Sequence, residues 1–571
     1  MLAVGLAGAA KSAAHRQAVN GMTDGTGSER PLNVREATFG LLRDLRLTTV
    51  FGNPGSTEET FLADFPDDFR FVLGLQEASV IAIADGFAQA NRAPALVNVH
   101  TATGLGNAKG NLMTAFLNRT PLIVTAGQQD RRMLLSEPWL TNVEPEVMPK
   151  PWVKWAYQPT RAQDVPGAFM RAYATAIQPP AGPVFLSLPL DDWAAPALGP
   201  AVVRSASART GPDPARLRRL ADAIAAAKRP VLIFGAAVAR GSGWGQAVAL
   251  AEKMDAPVWA APSSERAPFP EDHPLYQGGL PFAIGPLARH LDGYDLAVVV
   301  GAPVFRYYPY IPGDYLPDGL RLWQITDDPE EAARAPVGDS ILGDPVLTIE
   351  QLLPLVPQSA RSQPLKPPLP HRMSPLQQTS AAGKTAGLLT AQEVFDELRR
   401  ICPANAVLVE ESPSNLGDLH AAWPITQPDA FYTMASGGLG WSVPASVGIA
   451  LAERDSGRNR PVVMVVGDGS FQYSLQSIWT AAQLKLPVLF VVLRNGEYAI
   501  LKAFAEVEDS PGVPGLDIPG IDIVSLARGY GCHAARADTL DVLRSEAAAA
   551  ATRNSPTVLE VPIATTVPPL L

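Results

Sequence analysis

The sequence has few cysteines, no long apolar run and no excess of basic residues. Its 571 residues include two cysteines, Cys402 and Cys532, and no CxxC pair or Cys/His cluster, which argues against a disulfide framework and a zinc site. No segment approaches the roughly 18 consecutive apolar residues of a membrane span. The net charge of −10 disfavours nucleic acid, whose binders normally carry a basic stripe. We therefore expect a reducing, cytoplasmic setting, with neither membrane nor nucleic acid as partner.

Short apolar runs are abundant. Hydrophobic residues make up 47% of the chain and charged residues 18%, and 571 residues are too many for a single core. Runs rich in Val, Ile and Leu end in Gly, Asn or Pro and precede helix-like segments. The clearest runs are 48–51, 95–100, 121–127, 184–188, 231–235, 296–301, 407–410, 461–467 and 488–493. Apolar strands alternating with helices predict an α/β fold of doubly wound parallel sheets, repeated along the chain.

Composition divides the chain into three predicted α/β domains. Residues 353–389 are rich in Pro, Ser and Gln and are predicted to be a linker. A helix is predicted to follow at Thr390, with Glu393 completing a capping box. A weaker break lies near 191–212. The predicted units are a flexible leader, 1–32, and domains over 33–190, 210–352 and 390–571.

An acid between two glycines ends one of the apolar runs. Asp468 follows the run 461–467 in the stretch VVGDGSFQYS, and Asn495 follows the run 488–493, 27 positions later. Ligands of open parallel sheets bind beyond the carboxyl ends of the strands, and a strand–helix–strand unit would place these two residues side by side. Their oxygens, with the backbone carbonyl of Glu497, suit Mg²⁺. The sequence therefore predicts a metal site of these three residues.

The glycines beside the acid predict a phosphate site. Gly467 and Gly469 allow the backbone to turn sharply, and the helix that Ser470 enters offers free N–H groups to a phosphate. GDG alone is equally compatible with an Asp-Gly turn that binds nothing. GDG followed at this interval by an Asn that ends an apolar strand is more specific, and it resembles the thiamine diphosphate signature. That signature ordinarily ends in two asparagines, and Arg494 stands in place of the first.

A thiamine diphosphate site requires a glutamate elsewhere in the chain. Hydrogen-bonded to N1′ of the pyrimidine ring, this acid favours the imino tautomer, whose 4′-nitrogen removes the C2 proton. The first domain offers Glu77, which ends the apolar stretch FVLGLQ and begins an amphipathic helix. Taken alone, it is better explained as an acid that stabilises a helix N-terminus. Together with Asp468 and Asn495, the functional interpretation is favoured.

Further motifs extend over most of the chain. From about residue 33 to 567 the sequence resembles the thiamine diphosphate-dependent 2-oxo acid decarboxylases, and among them the benzoylformate decarboxylases. The matching stretches are TVFGNPGS, LQEA, LVNVHTATGLGNAKG, PLIVTAGQQ, PVFRYYPY, DPEEAARAPVGD, SGGLGWSVPA, GDGSFQYSLQSIWTAAQ and PGLDIPGID. The resemblance implies a pyrimidine-binding first domain, a middle domain without a required cofactor, and a third domain that binds diphosphate and Mg²⁺.

The resemblance also implies a homodimer or homotetramer with active sites between subunits. Glu77 of one chain would then meet Asp468 of another. The stretch SGGLG resembles the loop beneath the pyrimidine ring. The Gly437 carbonyl would contact the amino group of the ring, and Leu439 would hold the cofactor in its bent shape.

The same resemblance assigns the acid–base residues. His100 enters a glycine-rich loop and matches a catalytic histidine; the alternative is a core histidine bound by backbone. Ser56 matches the serine that contacts the substrate carboxylate; the alternative is a turn or N-cap serine. Tyr308 stands where benzoylformate decarboxylases have a second active-site histidine. Its reference pKa of about 10 makes it a poor acid–base group near neutral pH.

The predicted substrate pocket differs from that of benzoylformate decarboxylases. Ile500 replaces an alanine, Trp139 replaces a smaller aliphatic residue beside Leu140, and Phe504 is retained. The added bulk would crowd an aromatic ring. Branched or straight aliphatic 2-oxo acids are therefore expected to fit at least as well as benzoylformate.

The expected activity is non-oxidative decarboxylation of a 2-oxo acid to an aldehyde and CO₂. It would depend on thiamine diphosphate and Mg²⁺ and pass through ylide attack and an enamine intermediate. Slow protonation of the enamine at Tyr308 would instead favour a carboligase of the acetolactate synthase type. A paralogue that binds cofactor without turnover is disfavoured, because Glu77, His100, Asp468 and Asn495 are all present, but Tyr308 leaves this alternative open.

Overall fold

The computed structural model describes residues 31–205, 207–359, 387–565 and 567. Within them, the chain forms three six-stranded sheets in which every strand pair is parallel. The predicted α/β fold is confirmed. Most of the predicted leader and residues 360–386 of the predicted linker lie outside the described residues. None of the described helices is both long and apolar enough to cross a membrane.

The first sheet has the strand order 2-1-3-4-6-5, numbered along the chain. In sheet order its strands are Arg70–Leu73, Thr49–Asn53, Ala95–Val99, Leu122–Gln128, Val184–Pro189 and Ala156–Tyr157. Its helices are Val34–Asp44, Glu59–Leu62, Glu77–Asn91, Thr101–Leu117 and Val165–Ile177, with short 3₁₀ turns at Leu134–Ser136, Ala162–Asp164 and Asp192–Ala194.

The middle sheet has a different order, 6-5-4-1-2-3, which is the doubly wound dinucleotide-fold order read from the other edge. Its strands are Asp339–Leu342, Arg321–Thr326, Leu296–Val300, Pro230–Phe234, Val258–Ala260 and Tyr276–Gly279. Its helices are Pro214–Ala226, Ala236–Arg240, Trp244–Met254, Ile284–His290, Pro329–Arg334 and Pro345–Leu352.

The third sheet repeats the order of the first, 2-1-3-4-6-5. Its strands are Phe431–Tyr432, Val407–Glu411, Val462–Gly467, Val488–Arg494, Thr557–Pro562 and His533–Arg536. Its helices are Ala391–Ile401, Leu416–Ala422, Ser442–Asp455, Asp468–Phe471, Ser477–Gln483, Ala499–Val507, Ile523–Gly529 and Leu540–Ala550, with a 3₁₀ turn at Pro413–Asn415. Thr390 caps its first helix in a capping box with Glu393, as predicted.

All nine predicted apolar runs are strands, with ends displaced by one or two residues. They lie at or near the centre of their sheets, where helices cover both faces and almost every side chain is buried. Two local expectations were wrong. The stretch FVLGLQ does not remain a strand as far as Glu77, because its strand ends at Leu73. The segment 468–484, expected to form one helix, is a single turn at Asp468–Phe471 and a separate helix from Ser477.

The first and third sheets are joined by two helices that cross closely, Glu77–Asn91 and Ser442–Asp455. Glycines at the crossing leave no room for side chains. A Cβ on Gly86 would lie 2.2 Å from the carbonyl oxygen of Ala445, and one on Gly448 would lie 1.9 Å from that of Ile83. A single apolar core therefore continues from the first domain into the third.

Candidate active site

The third sheet places Asp468 and Asn495 next to each other. The strands that precede them are parallel neighbours, with Gly467 opposite Leu493. Asp468 accepts a 2.8 Å hydrogen bond from the N–H of Gly496, which ties the two strand ends together. The two residues are 27 positions apart in the sequence but lie next to each other at the carboxyl edge of the sheet.

The donors at this edge fit a hard divalent cation. Asp468 is 3% exposed, and burial raises the pKa of its carboxyl, a cost that a cation would relieve. Asn495 Oδ1 accepts the N–H of Glu497 at 3.2 Å, which fixes the loop that carries the Glu497 carbonyl. Across the described ranges, no three His, Cys, Asp or Glu side chains gather as a metal cage. One carboxylate, one amide and one carbonyl match Mg²⁺, which keeps waters and phosphate oxygens among its ligands.

The glycines beside Asp468 have different tasks. A Cβ on Gly467 would meet only the Ser470 hydroxyl, at 4.0 Å, so open space lies beside the strand end. A Cβ on Gly469 would lie 2.5 Å from the ring of Tyr498, so this glycine is needed for packing. The N–H of Gly469 already binds Asp468 at 2.9 Å. Room for a phosphate is therefore on the Gly467 side.

Glu411, which sequence reasoning missed, anchors the loop 436–440. It accepts hydrogen bonds from the N–H groups of Gly440, Trp441 and Ser442 at 2.6, 3.1 and 2.7 Å. Complete burial raises the pKa of Glu411 to about 7. The residue ends an apolar strand at the same edge as Asp468, and that signal could have identified it.

The loop itself is open where the pyrimidine ring was predicted to bind. Gly437 has a φ of +70°, a left-handed conformation that favours glycine, and nothing lies within 4 Å of a Cβ built on it. Leu439 is half-buried. On the other side, the Ser436 hydroxyl lies 2.9 Å from the hydroxyl of Thr114 in the first domain. The loop is thus fixed by neighbours while its Gly437 side stays free.

Glu77 lies beyond the second strand of the first sheet and is 7% exposed. Asn53 donates to Oε1 at 3.1 Å and Asn107 donates to Oε2 at 3.0 Å, so both carboxylate oxygens are held. A Cβ on Gly104 would come within 3.3 Å of Oε1. The side chain of Gln76, not Glu77, caps the helix. A role as a helix-stabilising acid does not account for these contacts.

His100 is held by a second acid that sequence reasoning missed. Nδ1 of His100 lies 2.8 Å from Glu58 Oε2, and the Glu58 side chain is completely buried. A carboxylate in this position can accept the Nδ1 proton, which would leave Nε2 for proton exchange. Glu58 also accepts from the N–H groups of Gly55 and Gly127 at 2.9 and 2.7 Å. The alternative of a histidine satisfied by backbone is wrong.

Glycines make room for this acid–histidine pair. A Cβ on Gly55 would lie 2.1 Å from His100 Nδ1, and one on Gly127 would lie 2.1 Å from Glu58 Oε1. Glu58 escaped notice because the exposed Glu59 follows it, and no periodicity separates two consecutive acids in a loop.

Ser56 is exposed in the turn after the first strand, two residues before Glu58. The helix that follows, Glu59–Leu62, has Glu58 at its N-cap position and no side-chain cap. The N-cap form of the alternative for Ser56 therefore does not apply, while its turn form agrees with the structure. Ser56 and His100 both follow strands that end at the same edge of the sheet.

Tyr308 reaches from the middle domain to the third. Its ring is 64% exposed and contacts Phe504, with centroids 4.9 Å apart and planes tilted by 43°. Ile500 lies one turn before Phe504 on the helix Ala499–Val507, and both are half-buried. The structure thus places Tyr308 at the helix that was predicted to line the pocket.

Trp139 and Leu140 face solvent in the single chain. They lie on a loop after the fourth strand of the first sheet, with 94% and 46% of their surfaces exposed. Either residue can line a pocket only when something covers this loop.

Three family profiles match the chain in order. They are the thiamine pyrophosphate (thiamine diphosphate) enzyme N-terminal TPP binding domain over 32–147, the central domain over 217–352, and the C-terminal TPP binding domain over 415–561. Each profile falls on one of the three sheets.

Whole-chain relatives are similar over nearly the full length. Benzoylformate decarboxylase of Pseudomonas aeruginosa is 45% identical over 540 residues, covering 94% of this chain and 99% of that protein. The crystal structure of benzoylformate decarboxylase from Polynucleobacter necessarius is 53% identical, with a TM-score of 0.90 over 94% of this chain and 99% of that one. The 4-hydroxybenzoylformate decarboxylase of Rhodococcus jostii RHA1 is 41% identical, with a TM-score of 0.88 over 94% and 100%.

Proposed function

This chain belongs to the thiamine pyrophosphate enzymes, in the family of benzoylformate decarboxylase, and on that premise we propose that it decarboxylates a 2-oxo acid to an aldehyde and CO₂. The observation that carries the proposal is the pair of strand-end sites. One holds Glu77 by both carboxylate oxygens. The other holds Asp468 beside Asn495.

Two groups of residues would bind opposite ends of the cofactor. When bound, thiamine diphosphate supplies the nucleophilic carbon and the electron sink that let CO₂ leave. Asp468, Asn495 and the Glu497 carbonyl would hold Mg²⁺ and, through it, the diphosphate. Glu77 would hold the proton at ring nitrogen N1′.

Residues at the carboxyl edge of the first sheet would deliver the proton to the product. The bond to CO₂ breaks and one proton must reach the carbon that becomes the aldehyde carbon. Nε2 of His100 would deliver it, with Glu58 fixing the ring through Nδ1. Ser56, exposed at the same edge, would bind the substrate carboxylate.

We propose further that a second copy of the chain completes each site, in a homodimer or homotetramer. The first-domain loop that carries Trp139 and Leu140 leaves apolar surface uncovered, including Leu135, which is fully exposed. A second copy would cover this loop and bring Glu77 of one chain to Asp468 of the other.

The substrate range is proposed to include aliphatic 2-oxo acids. Ile500 lies one helical turn before Phe504, whose ring contacts Tyr308. These three side chains would border the same part of the substrate pocket. The relatives named above act, by their names, on benzoylformate and 4-hydroxybenzoylformate. Ile500→Ala should raise kcat/KM for benzoylformate relative to a branched aliphatic acid by about tenfold. An unchanged ratio would contradict the crowding argument.

Tyr308 favours one second candidate, a carboligase that joins the substrate-derived carbon to another carbonyl compound. A phenol gives up its proton less readily than a protonated histidine near neutral pH. The reactive carbon would then persist long enough to meet a second carbonyl.

A panel of oxo acids tests both candidates. The purified chain is incubated with pyruvate, a branched aliphatic 2-oxo acid or benzoylformate, with and without thiamine diphosphate and Mg²⁺. Release of CO₂ and aldehyde that needs both cofactors supports the decarboxylase. Accumulation of a hydroxy-ketone supports the carboligase, and turnover without cofactor would contradict both.

A further inference from the structure

One lysine connects the loop 495–497, which is predicted to bind the metal, to the helix that carries the predicted pocket residues Ile500 and Phe504. Lys502, on the helix Ala499–Val507, binds the carboxylate of Glu497 through Nζ and also lies 2.7 Å from Asp517. The Glu497 side chain is 8% exposed, whereas that of Asp517 is 75% exposed. The lysine therefore has one buried and one solvated partner.

The backbone around this cluster is paired. Two 2.8 Å hydrogen bonds join segment 496–498 to segment 516–518. They flank an antiparallel bridge between Glu497 and Asp517. The lysine binds both bridge residues, so its loss would affect the loop that follows Asn495.

The charges at this edge are unbalanced without the lysine. Asp468 and Glu497 are both buried acids on loops joined by one hydrogen bond. Arg494 and Arg536 both pair with Glu560, at 3.1 and 3.3 Å, whereas Glu497 pairs with Lys502. In the part of the chain that the structure describes, one oxygen of Glu497 is buried without a partner and the other binds Lys502.

We propose that Lys502 is a positioning residue for the cofactor, which neutralises Glu497 and so holds the loop 495–497 in the shape that binds Mg²⁺ and diphosphate. The inference rests on the proposed cofactor. The lysine is partly exposed, at 29%, but its removal would leave the buried Glu497 carboxylate uncompensated, which the loop would relieve by rearranging. Removing the exposed partner, Asp517, has little effect.

Calorimetric titration of the apo-protein with thiamine diphosphate in excess Mg²⁺ tests this role. Lys502→Gln should weaken binding about tenfold. Lys502→Arg keeps the charge and should bind within about threefold of wild type. The double variant E497Q/K502Q removes both charges and should recover to within the same limit. Asp517→Asn, the matched control in the same cluster, should bind like wild type.

The role of Lys502 and the proposed function are contradicted by different results. Wild-type binding by Lys502→Gln overturns the inference, and so does a double variant as weak as the single one. If Lys502→Gln fails to fold by circular dichroism, the double variant decides: folded protein with near-wild-type binding supports the charge role, and weak binding or failure to fold overturns it. Failure of the wild type itself to bind would overturn the proposed function instead.

Discussion

The first and third sheets share the strand order 2-1-3-4-6-5 but carry different chemistry at matching strand ends. After the third strand, the first sheet has His100 and the third sheet has Asp468. After the second strand, each sheet leads to a helix, Glu77–Asn91 in one and Ser442–Asp455 in the other, and these two helices pack together.

The two edges differ in how they hold their polar groups. The first sheet orients the side chains that we propose for proton transfer: Glu58 binds His100, and two amides bind Glu77. The third sheet places Asp468 beside Asn495, and backbone N–H groups of the loop 496–497 donate to both side chains. Topology therefore fixes where a site can form, and residue type decides what it does. The middle domain, whose sheet has another strand order, contributes Tyr308, which contacts Phe504, and Arg306, which donates to the Ala435 carbonyl at 3.0 Å.

The sharpest test of this division is Glu77→Gln. Thiamine diphosphate should still bind, because the metal edge is intact, while kcat falls about a thousandfold through loss of the proton-holding group. Binding by calorimetry and turnover by CO₂ release are measured on one preparation. Undiminished kcat would show that Glu77, at the carboxyl edge of the first sheet, takes no part in proton transfer.

Asp468→Asn should produce the opposite pattern. Loss of the buried carboxylate should weaken binding of thiamine diphosphate with Mg²⁺ about 100-fold, while the fold persists. The measurement is the same titration. Unchanged affinity would place the metal elsewhere.

Glu58→Gln tests whether His100 depends on its buried partner. A glutamine cannot fix the Nδ1–H tautomer in the same way, so kcat should fall about tenfold. Cofactor affinity should not change. The exposed neighbour provides the control, Glu59→Gln, and equal behaviour of the two variants would refute the pairing.

The smallest effect is on stability, at Glu411. Its folded pKa of about 7 lies above the ordinary 4.5, so the folded chain binds more protons between these values. Stability from this group is therefore complete at low pH and is lost as pH rises from about 4.5 to 7. Glu411→Gln should flatten that slope in urea unfolding, unlike the exposed control Glu508→Gln. A slope equal to the wild type would contradict the assignment.

Much of the fold follows from the sequence because central parallel strands are apolar on both faces. The runs 95–100 and 461–467 show this well. Strands such as Asp339–Leu342 and His533–Arg536 lie at sheet edges with polar residues, and their pattern does not distinguish them from loops. The matching order of the first and third sheets was also not predictable, since strand pairing is non-local.

The candidate site divides in the same way. Asp468 and Asn495 were predictable because each follows a long apolar strand. Glu58 was not, because its role depends on contacts to His100 and Gly127 that come from distant strands.

Subunit complementation is the most direct test that Glu77 of one chain and Asp468 of a second chain form one active site. Glu77→Gln and Asp468→Asn are each expected to be inactive, and the two are co-expressed with different tags and purified together. In a mixed dimer, one of the two sites combines an intact first edge with an intact third edge. Mixed dimers isolated on both tags should recover about half of wild-type activity per chain, and the unselected random mixture about a quarter. No recovery in a verified mixed assembly would contradict the account.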